Sequence, residues 1–279
     1  MSLLPKKSYE SSYLGLNLGM EATGVVRAVG KSVVNIKPGQ PVICNVSRCF
    51  SNRINLPATR TVPLPESVSF EDGASIMSVY NTAHYALVYL ARIRKGDKVL
   101  IHAGAGGVGH AAISICQHVG AQVYATASKA KRELVRALGV DHVYDSRSTT
   151  WFEDVMEATG GKGVDVVLNS LAGVHQRLGM QALCPGGRFL EIGKMDIYNN
   201  SKMDLLPFCK NTSFHGIDMD RMAGENPELS AKIAQEVAEH FVKGNYRRLP
   251  LTIFPMRRLR DALELVKSGT HIGKVSDLF

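Results

Sequence analysis

Between Val99 and Ala112 the chain reads Val-Leu-Ile-His-Ala-Gly-Ala-Gly-Gly-Val-Gly-His-Ala-Ala, an apolar strand-like run joined to a helix-like one by a turn rich in glycine. The glycines at Gly104, Gly106 and Gly109 fit the spacing G-x-G-x-x-G. In that pattern one glycine permits the sharp turn, one lets backbone approach a phosphate, and one lets the helix lie against its strand. The first turn of such a helix offers unpaired amides and a positive dipole end to an anion. Gly104, Gly106, Gly107, Val108 and Gly109 are therefore predicted to hold the pyrophosphate of a dinucleotide. A glycine turn that only lets a helix pack closely is the plain alternative, and the flanking sequence has to decide.

From Lys98 onward strands and helices alternate. Strands are predicted at 99–102, 122–126, 142–144, 164–169 and 188–192, with helices at 107–118, 129–138, 151–158 and up to about 183. The strands are continuous apolar runs, as expected of parallel strands covered on both faces. The predicted fold class is α/β, a doubly wound parallel sheet. Before it, Thr23–Gly30, the turn Lys37-Pro38-Gly39-Gln40 and Pro41–Cys44 read as short β-segments, ended by Pro63-Leu64-Pro65. Ser69-Phe70-Glu71-Asp72 opens a long helix reaching about Tyr89. Beyond Ser213 the alternation weakens. A helix at 230–243, a run at 249–254, an amphipathic helix at 259–267 and a closing strand near Gly273-Lys274-Val275 return to the first lobe. The expected division is 1–76 with 218–279 as a smaller β-barrel lobe and 77–217 as the dinucleotide-binding domain.

The formal charge of +8 could attract nucleic acid, but the basic residues are dispersed, so no nucleic-acid partner is expected. The five cysteines are odd in number and form no C-x-x-C pair, which points to reduced thiols. No apolar run is long enough to cross a bilayer and no secretory leader opens the chain, so no membrane association and a cytoplasmic location are expected.

Dinucleotide folds that take NAD place an acidic residue at the end of the second strand for the ribose 2′-hydroxyl. Here that strand runs into Ala127-Ser128-Lys129-Ala130-Lys131-Arg132, which carries no carboxylate. Ser128, Lys129, Lys131 and Arg132 suit a 2′-phosphate instead, so NADPH is the expected cofactor. The alternative is that Ser128 caps the next helix while the cations face water.

Four separated phrases carry a resemblance: Ser78-Val79-Tyr80-Asn81-Thr82-Ala83-His84-Tyr85-Ala86-Leu87, the glycine turn, Asn169-Ser170-Leu171-Ala172, and Gly186-Gly187-Arg188-Phe189-Leu190-Glu191-Ile192-Gly193-Lys194. From about Leu18 to Lys274 the chain resembles the enoyl reductase domain of iterative, highly reducing polyketide synthases. The animal fatty acid synthase domain is a close relative, and both are zinc-free medium-chain reductases. The resemblance implies a Rossmann domain plus a GroES-like lobe, and NADPH-dependent reduction of an α,β-unsaturated thioester on an acyl carrier protein. It also implies neighbouring megasynthase domains and allows a homodimer. Hydride addition creates an enolate, so a donor at the thioester oxygen and an acid near the α-carbon are required. Lys194 matches the family's proposed catalytic lysine and Asp218 its acidic partner, with Asp220 in reserve. The alternative is an ion pair that only orients. Asn169, Ser170, Leu171 and Gly193 are expected near the nicotinamide. Tyr80 and Asn81 either face the crevice or pack within their helix.

Where zinc-dependent members of the superfamily carry Gly-His-Glu, this chain reads Gly19-Met20-Glu21, so no metal is expected. His102, His110 and His118 are expected to pack or cap. The family's opening strands have no counterpart here, and the small lobe is expected to be incomplete at its start. Two other readings stand beside the reductase: a quinone or enone oxidoreductase of the same fold, and a non-catalytic NADPH-binding module.

Overall fold

Short alternating segments fold Glu21–Val25 (β1) and Pro41–Asn45 (β2) into an antiparallel pair, with Glu21 opposite Asn45, and Thr61–Pro63 (β3) joins the far side of β2. The turn between β1 and β2 closes where Gly39, at φ 84°, donates its N–H to Val26 O. The helix Phe70–His84 (α1) starts as its sequence indicates: the Ser69 hydroxyl accepts the Asp72 N–H at 3.1 Å, with Glu71 and Asp72 in the first turn. It runs on as a π-helical turn over Tyr85–Leu90, closed by Ala91 N–H to Ala86 O.

A strand–helix alternation follows. Its strands are Lys98–Ile101 (β4), Gln122–Ala127 (β5), His142–Asp145 (β6), Val164–Asn169 (β7), Leu183–Glu191 (β8) and Ser213–Gly216 (β9). Between them lie Gly107–Val119 (α2), Arg132–Ala137 (α3), Trp151–Ala158 (α4), Val174–Gln181 (α5) and Met195–Tyr198 (α6). All six strands form one parallel sheet in the order β6-β5-β4-β7-β8-β9. The winding reverses between β4 and β7, the switch point at which open α/β sheets bind ligands beyond their carboxyl ends. Trp151, Val167, Leu183 and Phe189 fill the core. The chain then continues as Met219–Glu225 (α7), Pro227–Val242 (α8), Leu251–Pro255 (β10), Leu259–Ser268 (α9) and Lys274–Leu278 (β11), with β10 and β11 paired in parallel.

The computed structural model describes residues 18–278, which divide into two compact units. One comprises the chain up to Thr82 with Met219 onward, and the other Ala83–Asp218. The closing strand at Lys274 thus belongs with the first lobe. The opening segment before Leu18 lies outside the described residues. No helix among those described is long and apolar enough to cross a membrane.

Within the first unit, the nearly buried Glu21 holds β11 and α1 together. One carboxylate oxygen meets Lys274 Nζ at 2.6 Å and the other accepts the Ser78 N–H at 2.9 Å. Removing one partner of such a pair strands a buried charge, whereas removing both does not. Lys274→Met is expected to cost about 3 kcal/mol in urea unfolding, and adding Glu21→Gln to that variant should recover most of the loss.

Within the second unit, His102 follows β4 and is enclosed: its Nδ1 lies 3.1 Å from Thr126 Oγ1 and its ring meets Trp151 edge-on at 4.7 Å. Burial, helped by the nearby His175, pushes its pKa down to about 3. The unfolded chain therefore takes up a proton near the ordinary value of about 6.5 that the folded chain refuses. Stability should fall as pH drops from about 6.5 towards 3, by up to about 1.4 kcal/mol per pH unit. Urea midpoints measured across that range should lose this slope in His102→Gln.

Candidate functional site

The glycine turn begins at Ala103, which takes the left-handed conformation at φ 54°. None of Gly104, Gly106 and Gly109 has a positive φ, so the strained step of the turn falls on an alanine, contrary to the sequence expectation. Such a conformation costs about 1–2 kcal/mol, and its surroundings hold it there: Thr126 Oγ1 accepts the Ala103 N–H at 3.4 Å and Thr126 O accepts the Gly104 N–H at 2.8 Å. The glycines serve close approach instead. A Cβ on Gly109 would stand 2.5 Å from Ala103 O and 2.7 Å from Gly104 Cα, and one on Gly104 would stand 3.2 Å from Ala125 Cβ. Gly106 caps α2 with no side chain to occupy the helix end, and the first intrahelical bond runs from His110 N–H to Gly106 O at 2.9 Å. The amides of Gly107, Val108 and Gly109 therefore lack intrahelical acceptors. A bare helix end at the switch point fits a pyrophosphate. His110 Nδ1 lies 3.1 Å from the same carbonyl, a capping role.

At the end of β5, Ser128 makes no side-chain cap to the turn that follows, so its hydroxyl is not committed there. Arg132 is less available than its sequence position indicates, since its guanidinium pairs with Asp145 at 2.5 Å. Asp145 faces Ala127 across the sheet and also accepts the Arg147 N–H at 2.9 Å. Burial lowers the pKa of Lys131, with the Arg147 charge adding to it. Lys129 is exposed. The cations thus cluster over the carboxyl ends of β5 and β6, and Arg147 joins a set that sequence reading confined to 129–132.

Lys194 and Asp218, 24 residues apart in the numbering, meet: Nζ lies 2.7 Å from the Asp218 carboxylate and donates to Ile217 O at 3.2 Å. Lys194 leaves the end of β8, and Asp218 follows β9 once Ile217 N–H has bonded Glu191 O at 2.8 Å. Asn169 is fully buried and its amide is turned into the protein. Its Nδ2 donates to Leu171 O and to Glu191 Oε2, both at 2.6 Å, while its Oδ1 accepts the Leu171 N–H at 3.2 Å. The Ser170–Leu171 turn is thereby shaped by Asn169, and Ser170 is exposed at the carboxyl edge. Asp220 stands in the first turn of α7, in the other unit. Tyr80 is buried, stacks on Tyr246 at 5.2 Å and donates its hydroxyl to Arg247 O at 2.5 Å, the packing role left open for it.

Sequence reading passed over Glu191. A carboxylate inside the apolar run Phe189–Ile192 was the available signal, because an ionisable group in a buried strand needs a reason. All five cysteines are free thiols, with Cys44, Cys49 and Cys116 buried. Among the described residues no group of three or more His, Cys, Asp or Glu could hold a metal ion.

The family model for zinc-binding dehydrogenases matches residues 107–235. The mycocerosic acid synthase-like polyketide synthase of Mycobacterium tuberculosis is 40% identical over 260 residues, which is 92% of this chain and 12% of that protein. The highly reducing polyketide synthase ZEA2 of Gibberella zeae is 38% identical over 280 residues, covering 99% of this chain and again 12% of the relative. The chain thus spans about an eighth of the curated relatives it matches. The crystal structure of the CurK enoyl reductase superposes with a TM-score of 0.87 at 34% identity, over 97% of this chain and 82% of that one. With its parallel sheet, bare glycine turn and small antiparallel lobe, the chain belongs to the polyketide synthase enoyl reductases of the medium-chain dehydrogenase/reductase superfamily.

Proposed function

We propose that this chain is an NADPH-dependent reductase of the α,β-double bond of an enoyl thioester, presented on an acyl carrier protein by neighbouring domains of a polyketide synthase. The observation that carries the reading is the Lys194–Asp218 pair at 2.7 Å, at the carboxyl end of β8. It lies two strands from the glycine turn, about 10 Å at about 4.8 Å per strand. That is within reach of the far end of a dinucleotide whose pyrophosphate rests on α2.

The nicotinamide cofactor of this family, when bound, supplies a hydride to the β-carbon. The rest of the chemistry falls to the chain. As the β-carbon gains its hydrogen, negative charge moves onto the thioester oxygen and the α-carbon, and a nearby cation lowers the barrier. Of the three N–H donors of the Lys194 ammonium, one faces Asp218 and one faces Ile217 O. The third serves the substrate, as a hydrogen bond to the thioester oxygen or as the proton delivered to the α-carbon. The Asp218 carboxylate fixes the direction of the ammonium. Lys194 keeps 35% of its side-chain surface exposed, so water can return the proton. Ser128, Lys131 and Arg147 support the choice of NADPH, because they gather hydroxyl and cationic donors where a ribose 2′-phosphate would lie.

Following NADPH absorbance with a crotonyl-type thioester, the chain should turn over. Lys194→Met should lower kcat by about 10²–10⁴ while NADPH affinity stays within about threefold. A Lys194→Met variant with near-native kcat would overturn the assignment, and turnover of quinones but not of the thioester would select the quinone oxidoreductase. Lys131→Ala should raise the KM for NADPH about tenfold, the worth of one charge-assisted hydrogen bond, and leave the KM for NADH unchanged. An equal effect on both cofactors would remove Lys131 from the 2′-phosphate site.

A further inference from the structure

Glu191 is 1% exposed at the end of β8, and every partner its carboxylate has among the described hydrogen bonds is a neutral donor. Oε2 accepts Asn169 Nδ2 at 2.6 Å and Gln176 Nε2 at 3.0 Å, and Oε1 accepts the Gly193 N–H at 2.6 Å. No salt bridge reaches it among the described residues. A buried carboxylate held only by amides is costly and persists where its geometry is needed. Each of its bonds ends on a segment that shapes the site. Asn169 turns the Ser170–Leu171 loop, Gln176 lies on α5, and Gly193 immediately precedes Lys194. The Glu191 carbonyl also accepts the Ile217 N–H at 2.8 Å, next to Asp218. Gly193 has no room for a side chain, since a Cβ there would stand 2.7 Å from Glu191 Oε1 and 3.4 Å from the Ser170 backbone.

We infer that Glu191 is a positioning residue for the reaction: its carboxylate clamps the β7 loop to the Gly193 turn and so sets where Lys194 stands relative to Asp218. The inference rests on the reductase reading of Lys194. Burial raises the pKa of the Glu191 carboxyl and the nearby Asp196 charge adds to this, while the bonds from Gln176, Asn169 and Gly193 offset it only in part. The three groups bonded to it are all donors, so the ionised form is the one that satisfies the cage.

The cage makes an isosteric amide a sharp probe. Asn169 cannot flip to offer an oxygen without losing both of its bonds to Leu171. In Glu191→Gln, an oxygen turned towards Asn169 and Gln176 therefore leaves the new NH₂ facing the Gly193 N–H, donor against donor. The shape of the site is retained while the hold on the Gly193–Lys194 step is lost. Gln176→Leu is the control, since it removes one bond to the same carboxylate and leaves the Asn169 and Gly193 ends of the clamp in place.

The test measures kcat and KM with an enoyl thioester, NADPH affinity by fluorescence, and hydrogen exchange at the Gly193 amide. Glu191→Gln is expected to lower kcat at least tenfold with NADPH affinity and thioester KM within about threefold, and to speed Gly193 exchange at least tenfold. Gln176→Leu should leave kcat and Gly193 exchange within about threefold of native. Native kcat and native exchange in Glu191→Gln would overturn the inference. So would equal losses in kcat and NADPH affinity, or the same losses in Gln176→Leu as in Glu191→Gln, since those mark a merely structural role. If the single variant is not recovered folded, exchange at the Gly193 amide of the wild-type chain decides: slowing of at least a hundredfold relative to a free amide supports the clamp, and exchange at the free-amide rate overturns it. A wild-type chain without thioester turnover overturns the reductase reading alone, and Gly193 exchange then decides for or against the clamp.

Discussion

The architecture of the second unit hangs on one close approach, that of Gly109 to the turn before it. Helix α2 can start directly over the end of β4 only because residue 109 carries no side chain; the site of a Cβ is already filled by Ala103 O and the Gly104 backbone. That contact sets the height of the helix over the sheet and aims its first amides past the carboxyl edge. It also fixes where strain can reside. With Gly109 pressed against the turn from one side and Thr126 bonded to it from the other, Ala103 is held in a conformation that an alanine in a free chain would leave.

The two units each bury a carboxylate and satisfy it differently. In the first, Glu21 is met by a cation, Lys274, and by the Ser78 N–H. Such a pair holds two segments together, and a neutral replacement of both partners could do the same work. In the second, Glu191 is met by amides alone. A cage of donors specifies direction in a way an ammonium cannot, because each amide hydrogen must find its own lone pair. The first arrangement is a fastening, and the second fixes the relative placement of loops at the edge where the cofactor and thioester are proposed to meet.

The sequence made the glycine turn, the strand–helix alternation and the cation-rich end of β5 legible because each is a local pattern: a spacing, a period or a composition. Helix α4 at 151–158 and strand β7 at 164–169 were read to the residue for the same reason. Side-chain commitments made over long range were not legible. Nothing near Arg132 in the sequence shows that Asp145 would take its guanidinium, because those two residues meet only through the pairing of β5 with β6. Asn169 reads as a ligand-facing residue from its place at a strand end, and its inward turn depends on Glu191, which lies on the neighbouring strand.

The largest gap was β9. Ser213-Phe214-His215-Gly216 is too short and too polar to announce itself as a strand, and its place in the sheet depends on pairing with β8 and on Phe214 stacking over Phe189 at 5.3 Å. Yet this strand makes the proposed pair. Glu191 lies beside Gly216 in the register, so the next steps of the two strands, through Gly193 to Lys194 and through Ile217 to Asp218, emerge from the same edge side by side. A lysine and an aspartate with no local relation in the sequence are brought to 2.7 Å by the parallel alignment of two neighbouring strands. The proposed chemistry of the site is in this sense a property of sheet register: a slip of one residue between β8 and β9 would leave the lysine, the aspartate and the glycine turn all intact and would separate the first two.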